Sequence, residues 1–374
     1  MKNNIAYFLT GILLAMFINP LTAQPVSERL HNIMTAIYPE QSPGAALLVM
    51  KDGKTIFSEG FGVTDLDSRS RITPETNFRM ASVSKQFTAM SLLLLAKQGK
   101  VSLDDPISKY LTGLPAFTNA IQLKHLLSHT SGIADYESLI PKGTKEQVSD
   151  ADVLDMIRHS DSLYFKPGSK FRYSNTGFCL ITEIIRSVAG TSYPQYISTH
   201  IFQPLRMGHS TMMSKESTIT NRAYGYHDNN GTWKFADQSL TSATLGDGCV
   251  YTSITDYAKW AKAVWEHQLI PKGSPLNPLA ARQTISPRIS YGYGWFTSKE
   301  KDGSTAVFHS GESTGFHNIA YHNPSKGLLI VIFSNTDDDR ISEAFDKVAA
   351  EMKVQLAFNE KNVSLFHLLS KIYE

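Results

Sequence analysis

Two cysteines in 374 residues, Cys179 and Cys249, are too few for a disulfide framework. They read as buried free thiols, with a single bridge between them after export as the alternative. Charge of one sign is also missing: 36 Lys plus Arg stand against 34 Asp plus Glu, a net of +2, and neither sign forms a long run. That balance excludes a nucleic-acid-binding face and an anionic-membrane surface, so the expected partner is a small molecule or a peptide, cell-wall fragments among them. No apolar stretch reaches the roughly 20 residues a membrane-spanning helix needs. Residues 5–18 come nearest; they follow Lys2 and precede Pro20 and the triplet Leu21-Thr22-Ala23. That order reads as a secretory signal peptide, residues 1–23, cut after Ala23. Export to the periplasm or the medium follows, with no membrane anchor after processing. Internal repeats and low-complexity tracts are absent as well. With 42% hydrophobic and 19% charged residues, the composition is that of a globular chain.

Leu30, Ile33, Met34 and Ile37 recur at helical spacing, which predicts a helix over residues 26–38, ending before Pro39. Residues 44–50 and 55–60 read as strands joined across Lys51-Asp52-Gly53-Lys54, a hairpin signal. Residues 82–97 form a helix whose middle is apolar on nearly every side, and so buried, with Gly99 where a C-terminal cap belongs. From 104 to 240, helix-like segments alternate with stretches rich in Asp, Ser, Gly and Pro, and few strands are evident. Strands return at 291–297, 305–309, 316–322 and 327–335. A helix over 340–358 carries Ile341, Phe345, Val348 and Met352 on one face. Strands at both ends with helices between them predict an α+β fold. Its antiparallel sheet is built from residues 24–103 and 241–358, flanked by helices, and a mainly helical lobe, 104–240, is inserted. The tail, 359–374, offers only the short apolar run 365–369.

Ser82-Val83-Ser84-Lys85 places a hydroxyl and an amine one turn apart at the start of the buried helix. A serine hydroxyl needs an adjacent base to become a nucleophile, and a lysine serves only if its pKa falls well below about 10.4. The helix N-terminus favours the developing charge at Ser82. Read alone, this quartet is a serine helix cap with a surface lysine nearby. Two further triplets change that: Tyr173-Ser174-Asn175 in the lobe, and His309-Ser310-Gly311 on a strand near the C-terminus.

In that order the three motifs resemble the serine β-lactamase and penicillin-recognising DD-peptidase superfamily, in its class C-like branch, where related enzymes spell S-x-x-K, S-D-N and K-T-G. The resemblance runs from about residue 43 to 335. It includes Pro43-Gly44-Ala45, the segment Leu126 to Gly132, Gly246-Asp247-Gly248, and Tyr291-Gly292-Tyr293-Gly294-Trp295. It implies a β-lactamase/transpeptidase-like fold and a Ser82 acyl-enzyme, with Lys85 and Tyr173 sharing the proton traffic. Asn175 positions substrate and Lys85, His309 lies along the strand lining the site, and the oxyanion hole comes from the backbone N–H groups of Ser82 and Glu312. The Y-x-N and H-x-G spellings resemble DD-carboxypeptidases, D-aminopeptidases and esterases of the branch. With a largely neutral histidine where a lysine would anchor a carboxylate, and Glu312 beside it, ester, amide or D-amino-acid peptide hydrolysis is expected over β-lactam hydrolysis. A true β-lactamase, a D-alanyl-D-alanine carboxypeptidase and a non-turnover penicillin or peptide sensor are the alternatives.

His125 and His129 have the spacing of a zinc pair, but no Glu follows the first and no third ligand is evident, so they read as capping or core histidines. No metal or cofactor is expected. Gly311-Glu312-Ser313-Thr314-Gly315 fits G-x-S-x-G, with Asp337 and His367 downstream. That elbow must lead from strand to helix, whereas residues 316–321 continue as strand. The choice between serines is testable: Ser82→Ala should abolish covalent labelling by a fluorophosphonate probe, while Ser313→Ala should keep it.

Overall fold

All seven side chains of strand Leu328–Ser334 are buried, although successive residues of a strand point to opposite faces, so this strand needs cover on both sides. The computed structural model, which describes residues 24–213, 218–280, 282–357 and 363–373, supplies it. The strand lies inside an eight-stranded antiparallel sheet in the order Lys54–Phe61, Ala45–Lys51, Leu328–Ser334, Phe316–Asn323, Thr305–Ser313, Phe296–Lys299, Ile289–Tyr291, Gln283–Ser286. Pairing of Ala45–Lys51 with Leu328–Ser334, from Ala45 opposite Ser334 to Lys51 opposite Leu328, joins the first hairpin to the late meander. The fold is α+β, as the residue patterns predict.

On one face, Leu47, Val49, Ile330, Ile332 and Tyr321 pack against helices Val26–Ile37, Arg340–Glu351 and Leu365–Tyr373. On the other, Ala46, Leu48, Val331 and Phe333 meet a larger core that includes helices Lys85–Lys97, Asn175–Ala189 and Ile254–Trp265. Phe87 of the first stacks on Trp260 of the last, with centroids 4.2 Å apart. The Lys85–Lys97 helix has ten buried residues, and Gly99, at φ +71°, follows its end. Cys179 and Cys249 are both buried free thiols. Among the described residues no helix is long and apolar enough to cross a membrane; the predicted signal peptide, 1–23, lies outside them.

Several boundaries differ from the sequence-based expectation. The first turn of the site helix, Ala81–Ser84, is a 3₁₀ turn, and the α-helix begins at Lys85. The segment 291–297 is two strands, because Gly294 turns the chain at φ +92°, where an added Cβ would press within 3.0 Å of the Lys85 carbonyl oxygen and the Gln86 Cα. The helix expected over 340–358 stops at Glu351, and Lys353 takes φ +57° two residues on. Between 104 and 240 there is more strand than expected. Tyr226–Asn229 and Thr232–Phe235 form a hairpin, and Thr211–Met212 joins Phe78–Arg79 and Val250–Thr252 in a three-stranded sheet. Strands of two to four residues show no measurable alternation, which is why they escaped. The tail carries a helix, Leu365–Tyr373, with Leu365, Phe366 and Leu369 buried.

Phe333 is fully buried in the sheet and contacts Phe78 and Tyr257. Phe333→Ala should cost about 3–5 kcal/mol in urea unfolding. Phe235→Ala, at a ring that is 66% exposed, should cost within about 0.5 kcal/mol.

Candidate active site

Ser82 is held in place by a constrained approach. Ala81, just before it, has φ +46°, a region that L-residues rarely adopt. Strand Thr305–Ser313 crosses this turn so closely that a Cβ on Gly311 would lie 2.2 Å from the Met80 carbonyl oxygen. Asn318, on the neighbouring strand, donates from Nδ2 to the Arg79 carbonyl oxygen at 2.9 Å. The glycine of the third motif is thus what lets the strand and the nucleophile turn meet.

Lys85 is fully buried. Its Nζ lies 3.0 Å from Ser82 Oγ, 2.8 Å from Asn175 Oδ1 and 3.0 Å from the Asp247 carbonyl oxygen. All three partners are neutral, and burial lowers the Lys85 pKa from 10.5 although Asp247, Asp135 and Glu137 pull it up from farther away. A neutral amine has two hydrogens and one lone pair. The amide and peptide oxygens take the hydrogens, which leaves the lone pair for the Ser82 hydroxyl.

Each partner is itself fixed. Asn175 begins helix Asn175–Ala189, whose N-terminus is capped from outside: Asp135 Oδ2 accepts the Asn175 N–H at 2.7 Å. Asn175 Nδ2 donates to Glu137 Oε1 at 3.2 Å, which turns its oxygen toward Lys85. Asp150, buried and pushed up to about 7 mainly by desolvation, accepts the N–H groups of Leu245 and Gly246 at 2.8 and 3.2 Å. That holds the Gly246-Asp247-Gly248 turn whose carbonyl meets Lys85.

Tyr173 is 7% exposed, and its ring lies under the Lys85 amine, 5.0 Å from the centroid. Its hydroxyl sits beside Ser82 without completing a well-formed hydrogen bond. Burial pushes the phenol well above 10.0, and the neighbouring tyrosines add to this. The Lys85 amine faces the Tyr173 ring, not its oxygen, and Tyr173 rests as a phenol. His129 stacks on Tyr173 at 4.1 Å and accepts the Ser174 N–H at Nδ1, 3.1 Å away. His125 Nδ1 accepts the Gln122 N–H at 3.1 Å and closes its own helix start. These two histidines act as a packing platform and a cap.

His309 and Ser310 are fully buried. His309 packs between Tyr291 and Phe296, with Nδ1 2.6 Å from the Ser310 carbonyl oxygen, and burial drops its pKa to about 3, so it is neutral at pH 7. Its side chain meets the site through two rings, Tyr173 at 6.3 Å and Tyr373 at 6.0 Å between centroids. Side chains that line the two cavities at Ser82, about 250 and 430 Å³, include Asn175, Glu137 and Glu312 in both. Arg79 and Asp247 line the smaller, and Asp135, Arg172, Tyr173 and Tyr373 the larger. Asp135, Glu137, Arg79 and Tyr373 were not singled out from the sequence. A larger cavity, about 760 Å³, opens elsewhere around Trp233, Arg340 and His367, but His367 there is 3.1 Å from Asp339, and among the described residues lining it there is no hydroxyl–amine pair like that of Ser82 and Lys85. The G-x-S-x-G rival is not assembled either. Ser313 ends a hairpin strand, and Asp337 pairs with His227 at 2.9 Å.

This fold, with a buried lysine beside a serine at a helix start, defines a serine-hydrolase-type site. The Beta-lactamase family profile matches residues 31–351, and the chain belongs to that family. "Protein flp" of Staphylococcus aureus (strain MW2) is 29% identical over 340 residues, covering 88% of this chain and 66% of that protein. The chain thus spans just under two thirds of the length of the first curated relatives. Penicillin-binding protein 4* of Bacillus subtilis (strain 168) is 26% identical over 87% of this chain and 75% of its own. Among solved structures, a penicillin binding protein from Bacillus halodurans superposes with TM-score 0.76 at 26% identity, covering 87% of this chain and 98% of that one. The D-amino acid amidase of Ochrobactrum anthropi SV3, at 22% identity and TM-score 0.76 over 88% of this chain and 99% of that one, shares the fold.

The Lys85 lone pair exists only on the neutral amine, which sets the expected pH dependence. Fluorophosphonate labelling of Ser82 should speed up with pH and level off with a midpoint below 10.5. Lys85→Arg, whose guanidinium keeps its proton, should slow labelling by at least about 100-fold across that range. Labelling of Lys85→Arg at the unsubstituted rate would contradict the assignment.

Proposed function

We propose that this chain is a secreted serine hydrolase that cleaves ester, amide or D-amino-acid peptide bonds through an acyl-enzyme on Ser82. The observation that carries the proposal is the Lys85 amine, buried and offered to Ser82 by two fixed acceptors. In the first half-reaction Ser82 Oγ bonds to the substrate carbonyl carbon while its proton passes to Lys85. The oxyanion sits against the backbone N–H groups of Ser82 and Glu312. The bond from carbon to the leaving atom then breaks, Tyr173 gives that atom its phenolic proton, and the Lys85 ammonium restores the phenol by way of the water that enters as the leaving group departs. Water repeats the sequence in the second half-reaction: it loses its proton through Lys85 and Tyr173, attacks the acyl carbon, and Ser82 leaves with its proton restored. Secretion follows from the leader reading of residues 1–23. The catalytic cleft lies between the 104–240 lobe and the sheet.

Asp135, Glu137, Glu312 and Asp247 outnumber Arg79 and Arg172 around Ser82, and His309 brings no charge. Substrates bearing a carboxylate beside the scissile bond meet repulsion here, so neutral or cationic substrates are favoured over β-lactams and D-Ala-D-Ala termini. Intact-mass and turnover assays should show Ser82 acylated and released with methyl esters and D-amino-acid amides, and slow or no turnover of benzylpenicillin. Nitrocefin hydrolysis near about 10³ s⁻¹ would overturn the preference and return the chain to the β-lactamases. Acylation without release would make it a sensor.

A further inference from the structure

The reaction above makes no use of helix Leu365–Tyr373, although its last turn stands in the same cavity as Ser82. The helix is firmly seated. Leu365, Phe366 and Leu369 are buried in the core on the outer sheet face, beside helix Arg340–Glu351. Its far end reaches the third-motif strand: the Tyr373 hydroxyl lies 2.6 Å from Ser310 Oγ and 3.2 Å from the Ser310 carbonyl oxygen, and Ser370 Oγ donates to Glu312 Oε1 at 2.7 Å. The Tyr373 ring packs on the Tyr173 ring, 4.5 Å between centroids.

Which part of a substrate would meet this wall follows from proton transfer. The leaving atom receives its proton from Tyr173, so the leaving group must lie on the Tyr173 side of the scissile carbonyl. Tyr373 packs on that side. The strand offers an edge there as well. Its ladder with Phe296–Lys299 runs from Thr305 to Phe308 and stops, so an extended leaving group could otherwise pair along residues 309–313. Tyr373 already holds the Ser310 peptide oxygen that such a chain would use.

We infer that Tyr373 is a specificity-determining residue that closes the leaving-group side of the site, so that the enzyme releases small leaving groups, such as ammonia from primary amides or short alcohols from esters, and rejects extended ones. This rests on the Ser82 hydrolase reading. A peptide whose leaving group is a chain of two or more residues does not fit beside the two packed tyrosines.

Esters sharing one acyl group but differing in alcohol test this, because kcat/KM then compares only the acylation step. With methyl, butyl and benzyl phenylacetates, the unsubstituted protein should lose at least about 10-fold in kcat/KM from methyl to benzyl, about the discrimination that a filled pocket gives. Tyr373→Ala should flatten that series, and Tyr373→Phe, which keeps the ring, should preserve it. Methyl esters of different acyl length should keep their relative rates in all three proteins. Fluorophosphonate labelling of Ser82 reports whether each variant has a folded site, and Tyr373→Leu carries the test if Tyr373→Ala is not labelled. An unchanged alcohol series in a labelled Tyr373→Ala or Tyr373→Leu protein, or a change confined to acyl length, overturns the wall while leaving the hydrolase standing. Absence of both labelling and ester hydrolysis in the unsubstituted protein overturns the two together.

Discussion

The site depends on a lysine that has been taken out of water without being given a carboxylate. An ammonium with no ionised partner in a fully buried position loses several kcal/mol of hydration. The three oxygens at 2.8–3.0 Å from Lys85 Nζ are neutral: two accept from it, and the Ser82 hydroxyl accepts from an ammonium or donates to an amine. Desolvation therefore outweighs the pull of Asp247, Asp135 and Glu137 and lowers the pKa. A carboxylate moved into contact with Nζ would reverse that balance and fix the proton on nitrogen.

Much of the architecture serves to keep those oxygens in place. They come from three separate stretches of chain: the turn before helix Lys85–Lys97, the start of helix Asn175–Ala189, and the turn Leu245–Gly248. Asp135 caps the second and Asp150 pins the third. The sheet contributes by close approach. Gly311 lets a strand pass over Met80 and Ala81, and Gly294 lets another segment rest on the backbone of Lys85 and Gln86. Two of the motifs that look chemical in the sequence are thus fulfilled by the absence of a side chain.

The groups legible in the sequence are those whose spacing is local. Ser82 and Lys85 are a helical turn apart, Tyr173 and Asn175 are adjacent but for one residue, and the five longest hairpin and meander strands are runs of seven to nine residues. Asp135 and Glu137 left no such trace, because they act across 38 to 40 residues of chain on a helix they do not belong to. Tyr373 was hidden for a similar reason. Its helix shows in sequence only as the apolar run 365–369, and nothing local says that the run docks beside Tyr173, some 200 positions earlier. His309 is a case where identity was plain and environment was not: the spelling suggested a group along the substrate path, and the fold buries it between aromatic rings as a neutral spacer.

The claim on which all this turns is that Lys85 is a neutral base in the resting protein at a pH where ordinary lysines are charged. Its titration can be followed directly by NMR of the protein carrying ¹³C-labelled lysine, with Lys85→Gln assigning the Cε resonance. The account predicts a midpoint for Lys85 displaced below 10.5, and below those of the exposed lysines in the same spectrum. A midpoint at or above theirs would show an ammonium locked in place, and Ser82 would then have no base.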